Sequence, residues 1–257
     1  MKTYLRALQV LLLWAVTFAA CERSAQAASF QVDPVLVNLS AKTTSSILAI
    51  RNLADEPVRV QLSAHAWNQT PTGEVNLTPT HDIVFFPSLL SLAPHELRNI
   101  RLTAPSALLT TTVVERSYRI VVEELLPRVN ASTPSTAVRV ITKMSIPLFI
   151  QPPVLQPAVR VDGLRVLGAH ATFSVTNPGT SHFITHSVYL RVNAPDGTTL
   201  FDKSVGGWYV LARGSRVYDL DIPASVCTRG ASITFEVETD KGRTVQRFGG
   251  FCTASGQ

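Results

Sequence analysis

Apolar residues recur at every second position along most of this chain, and that period restricts it to strands. In the first half the pattern appears at Phe30-Val32, Val35-Val37-Leu39, Val58-Val60-Leu62 and Val138-Val140. In the second half it returns at Val159-Val161, Phe173-Val175, Val188-Leu190-Val192 and Ile233-Phe235-Val237. A period of two puts alternate side chains on opposite faces of a pleated strand, so each run reads as half-buried. The runs are separated by turn signals, among them Ala54-Asp55-Glu56-Pro57, Thr70-Pro71-Thr72-Gly73, Ala93-Pro94-His95, Asn177-Pro178-Gly179 and Pro195-Asp196-Gly197. Beyond the first segment, no long stretch carries an apolar stripe at helical spacing with caps. The expectation is an all-β chain with turns at sandwich-like intervals.

Prolines crowd one place, Gln151-Pro152-Pro153-Val154-Leu155-Gln156-Pro157. So many residues without a backbone donor cannot sit inside a central strand, and they make a stiff extended connector. The spacing predicts two immunoglobulin-like β-sandwich domains joined by this Pro-rich hinge, over residues 28–152 and 153–257. Each is of ordinary sandwich size.

The first residues point to export. Lys2 and Arg6 precede an apolar run from Ala7 to Ala20, and Ala25-Gln26-Ala27 follows with the small-x-small pattern of a cleavage site. The run falls short of the roughly 20 residues a membrane span needs. Residues 1–27 are therefore expected to be a signal peptide. A lipoprotein with Cys21 as its first mature residue is the alternative, although the position three before Cys21 is Phe18 rather than Leu-like. Removing residues 1–27 takes away Lys2, Arg6, Arg23 and Glu22, so the formal net charge falls from +5 to +3. That mild basic excess contains no Lys/Arg block, and basic and aromatic residues are not interleaved, which argues against nucleic acid as a partner. Cys227 and Cys252 then remain, and two cysteines in an oxidising compartment fit a disulfide better than a catalytic pair.

No catalytic constellation emerges. The chain lacks a Gly-x-Ser-x-Gly elbow, a phosphate-cradling glycine loop and His-Glu-x-x-His. Ser215 in Arg213-Gly214-Ser215-Arg216 reads as a turn serine. His182 and His186 would share a strand face but have no further ligands nearby, so they read as surface histidines rather than a metal site. Glu236, Glu238 and Asp240 alternate as a solvated face. No enzyme activity, cofactor or metal is expected.

One ordered set of segments resembles a known family. It begins with Phe30-Gln31-Val32-Asp33-Pro34-Val35, then Ile50-Arg51-Asn52-Leu53, Pro57 to Leu62 and Ala66-Trp67. Asp82 to Pro87, Leu92-Ala93-Pro94, Ile100-Arg101-Leu102, Arg116 to Pro127 and Ile146-Pro147-Leu148-Phe149 follow in order. Together they resemble the amino-terminal domain of PapD-like periplasmic pilus assembly chaperones. The second half is similar mainly in strand pattern.

The resemblance implies a periplasmic chaperone of the chaperone–usher pathway. Such a protein binds pilus subunits that lack their last strand, donates an edge strand of its own, and delivers them to an outer-membrane usher. The donor strand would run from Val138 to Ile146, with Val138, Val140, Thr142, Met144 and Ile146 on one face and Arg139, Ile141, Lys143 and Ser145 on the other. An ordinary strand packing its own core would carry the same pattern. The family anchors the subunit's terminal carboxylate on two basic residues deep in the interdomain cleft, because charge-assisted bonds to a carboxylate are strong. Leu36 and Pro147 stand where the better-known branch has its arginine and lysine, and the Ile146 to Phe149 ending resembles the archaic branch. The anchor candidates are Arg119 and Lys143, with Arg139 in reserve. Glu124 is similar to the family's acid that sets the interdomain angle. The Arg128 to Ala137 connection resembles the short-loop subclass, and a homodimer capping its own donor strand is compatible with the resemblance. The competing reading is a secreted structural or adhesive pilus component.

Overall fold

In the computed structural model most of the alternating runs become strands whose burial follows the alternation; Val35, in the bend before β2, and Val140, ahead of β10, are instead exposed. The structure describes residues 30–126, 140–167 and 170–249. The expected signal peptide, Arg128 to Ala137, Val138, Arg139 and Cys252 lie outside those residues.

The first sandwich is built from β1 (Phe30–Asp33), β2 (Val37–Leu39), β3 (Ser45–Asn52), β4 (Val58–Gln69), β5 (Val75–Pro79), β6 (Val84–Phe86), β7 (Leu89–Leu92), β8 (Leu97–Thr103), β9 (Arg116–Leu125) and β10 (Lys143–Ile150), with one short helix, α1 (Ser106–Thr111). One sheet runs β1-β3-β8-β6. The other runs β2-β10-β9-β4, and β4 carries β7 on its first residues and β5 on its last. Phe30, Leu48, Ile50, Ile100 and Leu102 from one sheet meet Val60, Leu62, Ile120, Val122, Ile146 and Leu148 from the other. All are apolar positions of a period-two run, so burial of one strand face drives the layers together.

The second sandwich starts at β11 (Arg160–Leu167) and continues through β12 (His170–Thr176), β13 (Phe183–Asn193), β14 (Thr199–Gly206), β15 (Tyr209–Val210), β16 (Ser215–Asp221), α2 (Ala224–Arg229), β17 (Ser232–Thr239) and β18 (Gly242–Gly249). Its sheets run β11-β12-β16 and β14-β13-β17-β18, with β15 on the end of β13. Phe173, Phe183, Leu190, Val192 and Phe235 fill a separate core, and the Phe173 and Phe235 rings lie 4.5 Å apart. Residues 151–159 carry no strand and link the two sandwiches. Cys227 on α2 is disulfide-bonded.

Each sandwich uses one buried asparagine to hold a corner. The Asn52 side-chain amide donates to the carbonyls of Glu56 (2.8 Å), Leu92 (3.3 Å) and Ala93 (2.9 Å), and its Oδ1 accepts from Ala54 N–H. Asn177 does the same with Ser181, Val210 and Leu211, while its Oδ1 accepts from Gly179 and Ala158 N–H. Gly179 is required there: a Cβ would stand 2.0 Å from the Gln156 carbonyl oxygen, so the linker backbone approaches where only hydrogen fits. Because truncation leaves buried carbonyls unpaired, Asn52→Ala and Asn177→Ala should each lower unfolding free energy by about 2–3 kcal/mol in urea titrations.

Candidate functional site

Two-sided burial marks the site. In β9, Tyr118, Ile120 and Val122 face the first core, yet Arg119 and Val121 between them are also buried. In β10 every residue from Ile146 to Ile150 is buried. In β4 the inward residues are Val58, Val60, Leu62 and Ala64, and then Trp67, on the other face, is buried too. A strand buried on both faces reads as a continuous apolar run rather than an alternation. The runs from Tyr118 to Val122 and from Ile146 to Ile150 carried that signal in the sequence.

The second sandwich covers the outer face. Trp67 and Phe149 pack with Trp208, Tyr209 and Leu211 of the second domain. Trp67 and Tyr209 meet edge to face at 5.1 Å, and Phe149 stacks on His182 at 3.8 Å. Such aromatic pairs contribute about 0.5–1.5 kcal/mol each beyond the area they bury. The polar part of the interface is Glu115. Its Oε1 lies 2.6 Å from His182 Nδ1 and accepts the His182 backbone N–H at 3.0 Å, while Glu115 N–H donates to the Thr180 carbonyl. The Glu115 side chain is fully buried and that of His182 nearly so.

Three expectations change here. His182 is not a surface histidine: it is buried between the domains, and only His186 is exposed. The interdomain role expected of Glu124 falls instead to Glu115. Glu124 shares the strand face of Ile120 and Val122, away from the second domain, and its Oε2 accepts Thr142 N–H at 3.2 Å. Arg119 and Lys143 do not form a pair. Lys143 sits opposite Glu123, with its Nζ 3.2 Å from that carboxylate, and both side chains are largely exposed. Its strand position lies four residues, about 13 Å, from that of Arg119.

Arg119 is the basic residue that the fold takes into the interface. It stands opposite Pro147 on one side and His65 on the other. Its side chain is 6% exposed, and its guanidinium carbon lies 3.7 Å over the Trp67 ring. Nη1 donates to the Ser145 carbonyl at 3.3 Å. Nε and Nη2 are buried without a hydrogen-bond partner among the described residues. Those two nitrogens lie along one edge of the planar guanidinium and form a fork that suits a carboxylate. Burial lowers the Arg119 pKa from its ordinary value, and Tyr209 opposes that shift.

The segment expected to be the donor lies at the edge of the same sheet. β2 pairs with β10 only at Leu148, Phe149 and Ile150. From Lys143 to Pro147 β10 has β9 on one side and, among the described residues, no strand on the other. Glu124 N–H donates to the Thr142 carbonyl across β9, while Gln151 N–H donates to Leu39 on the β2 side. The antiparallel pattern then turns the backbone groups of Thr142, Met144 and Ile146 toward β9 and those of Lys143, Ser145 and Pro147 toward the open edge. Pro147 has no N–H to leave unpaired there. On the expected donor face, Ile146 and Met144 pack into the first core, Thr142 is half-buried, and Val140 is 76% exposed. One apolar face thus begins inside the domain and runs out past its rim.

No group of three or more His, Cys, Asp or Glu among the described residues could hold a metal, and no helix among them is long and apolar enough to cross a membrane. Breaking the interdomain pair should be costly. Glu115→Ala removes a carboxylate that accepts two bonds and leaves His182 buried, so it should destabilise the protein by about 3 kcal/mol. Calorimetry and a larger radius of gyration in solution scattering would report it.

Comparison with known proteins agrees with this geometry. Residues 29–156 match the family model of the pili and flagellar-assembly chaperone PapD amino-terminal domain. No curated protein sequence matches the chain. Among solved structures, the class 5 fimbriae chaperone CfaA aligns with a TM-score of 0.58 at 13% identity, covering 85% of this chain and 98% of its own. A chain of the CsuC–CsuE chaperone–tip adhesion subunit pre-assembly complex from the archaic Csu pili of Acinetobacter baumannii gives 0.58 at 17% identity, with 86% and 98% covered. A chain of the Salmonella enterica SafA pilin–SafB chaperone complex gives 0.54 at 16%, with 88% and 98% covered. These low identities establish the shared two-sandwich fold. The family match over the whole first sandwich shows that this chain belongs to the PapD-like family of pilus chaperones.

Proposed function

We propose that this protein is a periplasmic, non-enzymatic chaperone that holds pilus subunits by strand donation along the open edge of β10 and presents them to an outer-membrane usher. The observation that carries the reading is the edge itself. Backbone groups of Lys143, Ser145 and Pro147 point away from β9, and Val140, just ahead of the strand and on the expected donor face, is exposed. A subunit lacking a strand offers the complement: an apolar groove bounded by unpaired backbone groups. Main-chain bonds would then supply affinity, and the side chains at Val138, Val140 and Thr142 would enter the groove. Met144 and Ile146 serve the domain's own core, so they contribute by fixing the strand's direction.

The subunit's terminal carboxylate is proposed to bind the Nε–Nη2 fork of Arg119, with Arg139 as an untested second group. A single buried arginine would replace the two basic residues of the better-known branch, where Leu36 and Pro147 stand here. Together with the Ile146-Pro147-Leu148-Phe149 ending, this supports the archaic-branch assignment. No nucleotide is needed, because folding of the subunit around the donated strand supplies the driving free energy.

The test is co-purification from the periplasm with a co-expressed candidate subunit. Val140→Glu puts a charge on the exposed part of the donor face without touching the core, and it should abolish the complex. Arg119→Ala should weaken the complex by about 2–5 kcal/mol, the usual cost of removing one partner of a buried charge pair. Lys143→Ala should leave it unchanged. A wild-type protein that retains no subunit would reject strand donation and favour the structural or adhesive pilus component.

A further inference from the structure

The fork of Arg119 is shielded from solvent, and the side that shields it is specific. Trp67 covers one face of the guanidinium at 3.7 Å. His65 and Pro147 flank it from the neighbouring strands, and Nη1 is tied to Ser145. The remaining approach is from the second domain. There the ring centres of Trp208 and Tyr209 stand 5.4 Å and 5.6 Å from the guanidinium carbon and meet each other edge to face at 5.5 Å.

We infer that Trp208 and Tyr209 form a gate over the Arg119 fork, so that a terminal carboxylate reaches it only when these rings move aside. The inference rests on Arg119 being the carboxylate anchor, and it adds how access to that anchor is controlled. Two features suit the pair to the task. Both rings are half-buried, so solvent lies beyond them and they have room to rotate. Their backbone, by contrast, is fixed to β13: Thr185 N–H donates to the Trp208 carbonyl at 2.9 Å, Gly207 N–H donates to the His186 carbonyl, and Tyr209 and Val210 pair with Ile184 and Phe183. Gly207 lies so close to β13 that a Cβ would stand 2.5 Å from the Thr185 side chain. The motion is therefore one of side chains over a fixed strand.

The energetics make the closed state poised rather than permanent. Cation–π contact with the rings partly stabilises the guanidinium. Two buried donors without an acceptor among the described residues remain, and each carries the cost of an unmade hydrogen bond. A carboxylate that displaces the rings restores two charge-assisted bonds at once in bidentate form, whereas an uncharged carbonyl regains weaker bonds and an apolar terminus none. The device therefore favours a free carboxylate over other polar groups.

The experiment is phenylglyoxal labelling of the full-length protein, with modification at Arg119 followed by mass spectrometry, alongside the co-purification assay. In the wild type Arg119 should be protected. Trp208→Ala, and more so Trp208→Ala with Tyr209→Ala, should raise its labelling rate by about tenfold or more, as for a group released from local opening. Trp208→Phe keeps a ring in place and should stay protected. It also separates gating from a loosened interface, with unchanged thermal unfolding as the check on folding. Equal labelling in wild type and both alanine variants would overturn the gate and leave the anchor standing, provided Arg119→Ala still loses the subunit. Full retention of the subunit by Arg119→Ala would overturn the anchor, and the gate with it, whichever way the labelling falls.

Discussion

Around Trp67, Arg119, Val121 and Phe149 the sheet formed by β2, β10, β9 and β4 is buried on both faces, and the rest of the molecule is arranged around that fact. One face closes the first sandwich through Ile120, Val122, Ile146 and Leu148. The other carries Trp67, Phe149 and Arg119 against the second sandwich. A sheet clamped in this way has little freedom to tilt, because displacement on either side would open a packed interface. The Glu115–His182 pair adds direction to the clamp. Apolar contact is non-directional, whereas a carboxylate that accepts both a ring N–H and a backbone N–H fixes one orientation.

The same sheet explains why the proposed binding segment can be apolar and still part of a stable fold. β10 is secured at its end, where β2 pairs with it and the second domain covers it, while its beginning has, among the described residues, a strand on one side only. An open apolar edge is ordinarily an aggregation hazard. Here the hazard is limited to a few residues around Val140, with Lys143 and Glu123 forming an exposed charge pair beside them. The strand direction is set by Met144 and Ile146 in the core, so a partner meets a preorganised edge rather than a loose loop.

Much of the fold was legible in the sequence because burial of one strand face leaves a period-two trace at every strand. The Pro-rich stretch before Val159 and the ordered set from Phe30 to Phe149 were legible for the same local reason. The interface was harder. His182 and His186 are spaced for one strand face, but His182 lies just before β13, where that spacing no longer applies. Glu124 was assigned to the interface by resemblance, while strand parity puts it on the opposite face from Arg119. Lys143 and Arg119 are both basic and close in the folded sheet, yet register sends one to Glu123 and the other beneath Trp67.

The sequence by itself determined the class of fold, the chain's division into two sandwiches, the stock of apolar positions and the strand from which donation is proposed. Those properties depend on local chemistry: alternation, turn residues and prolines. The tertiary structure decided which outward faces are covered. It turned Arg119 from an ordinary strand charge into a buried fork, gave the interdomain contact to Glu115 rather than Glu124, and brought Trp208 and Tyr209 from the second domain over a residue of the first. Those outcomes depend on strand register and on the meeting of segments nearly a hundred residues apart, and neither leaves a periodic mark in the chain.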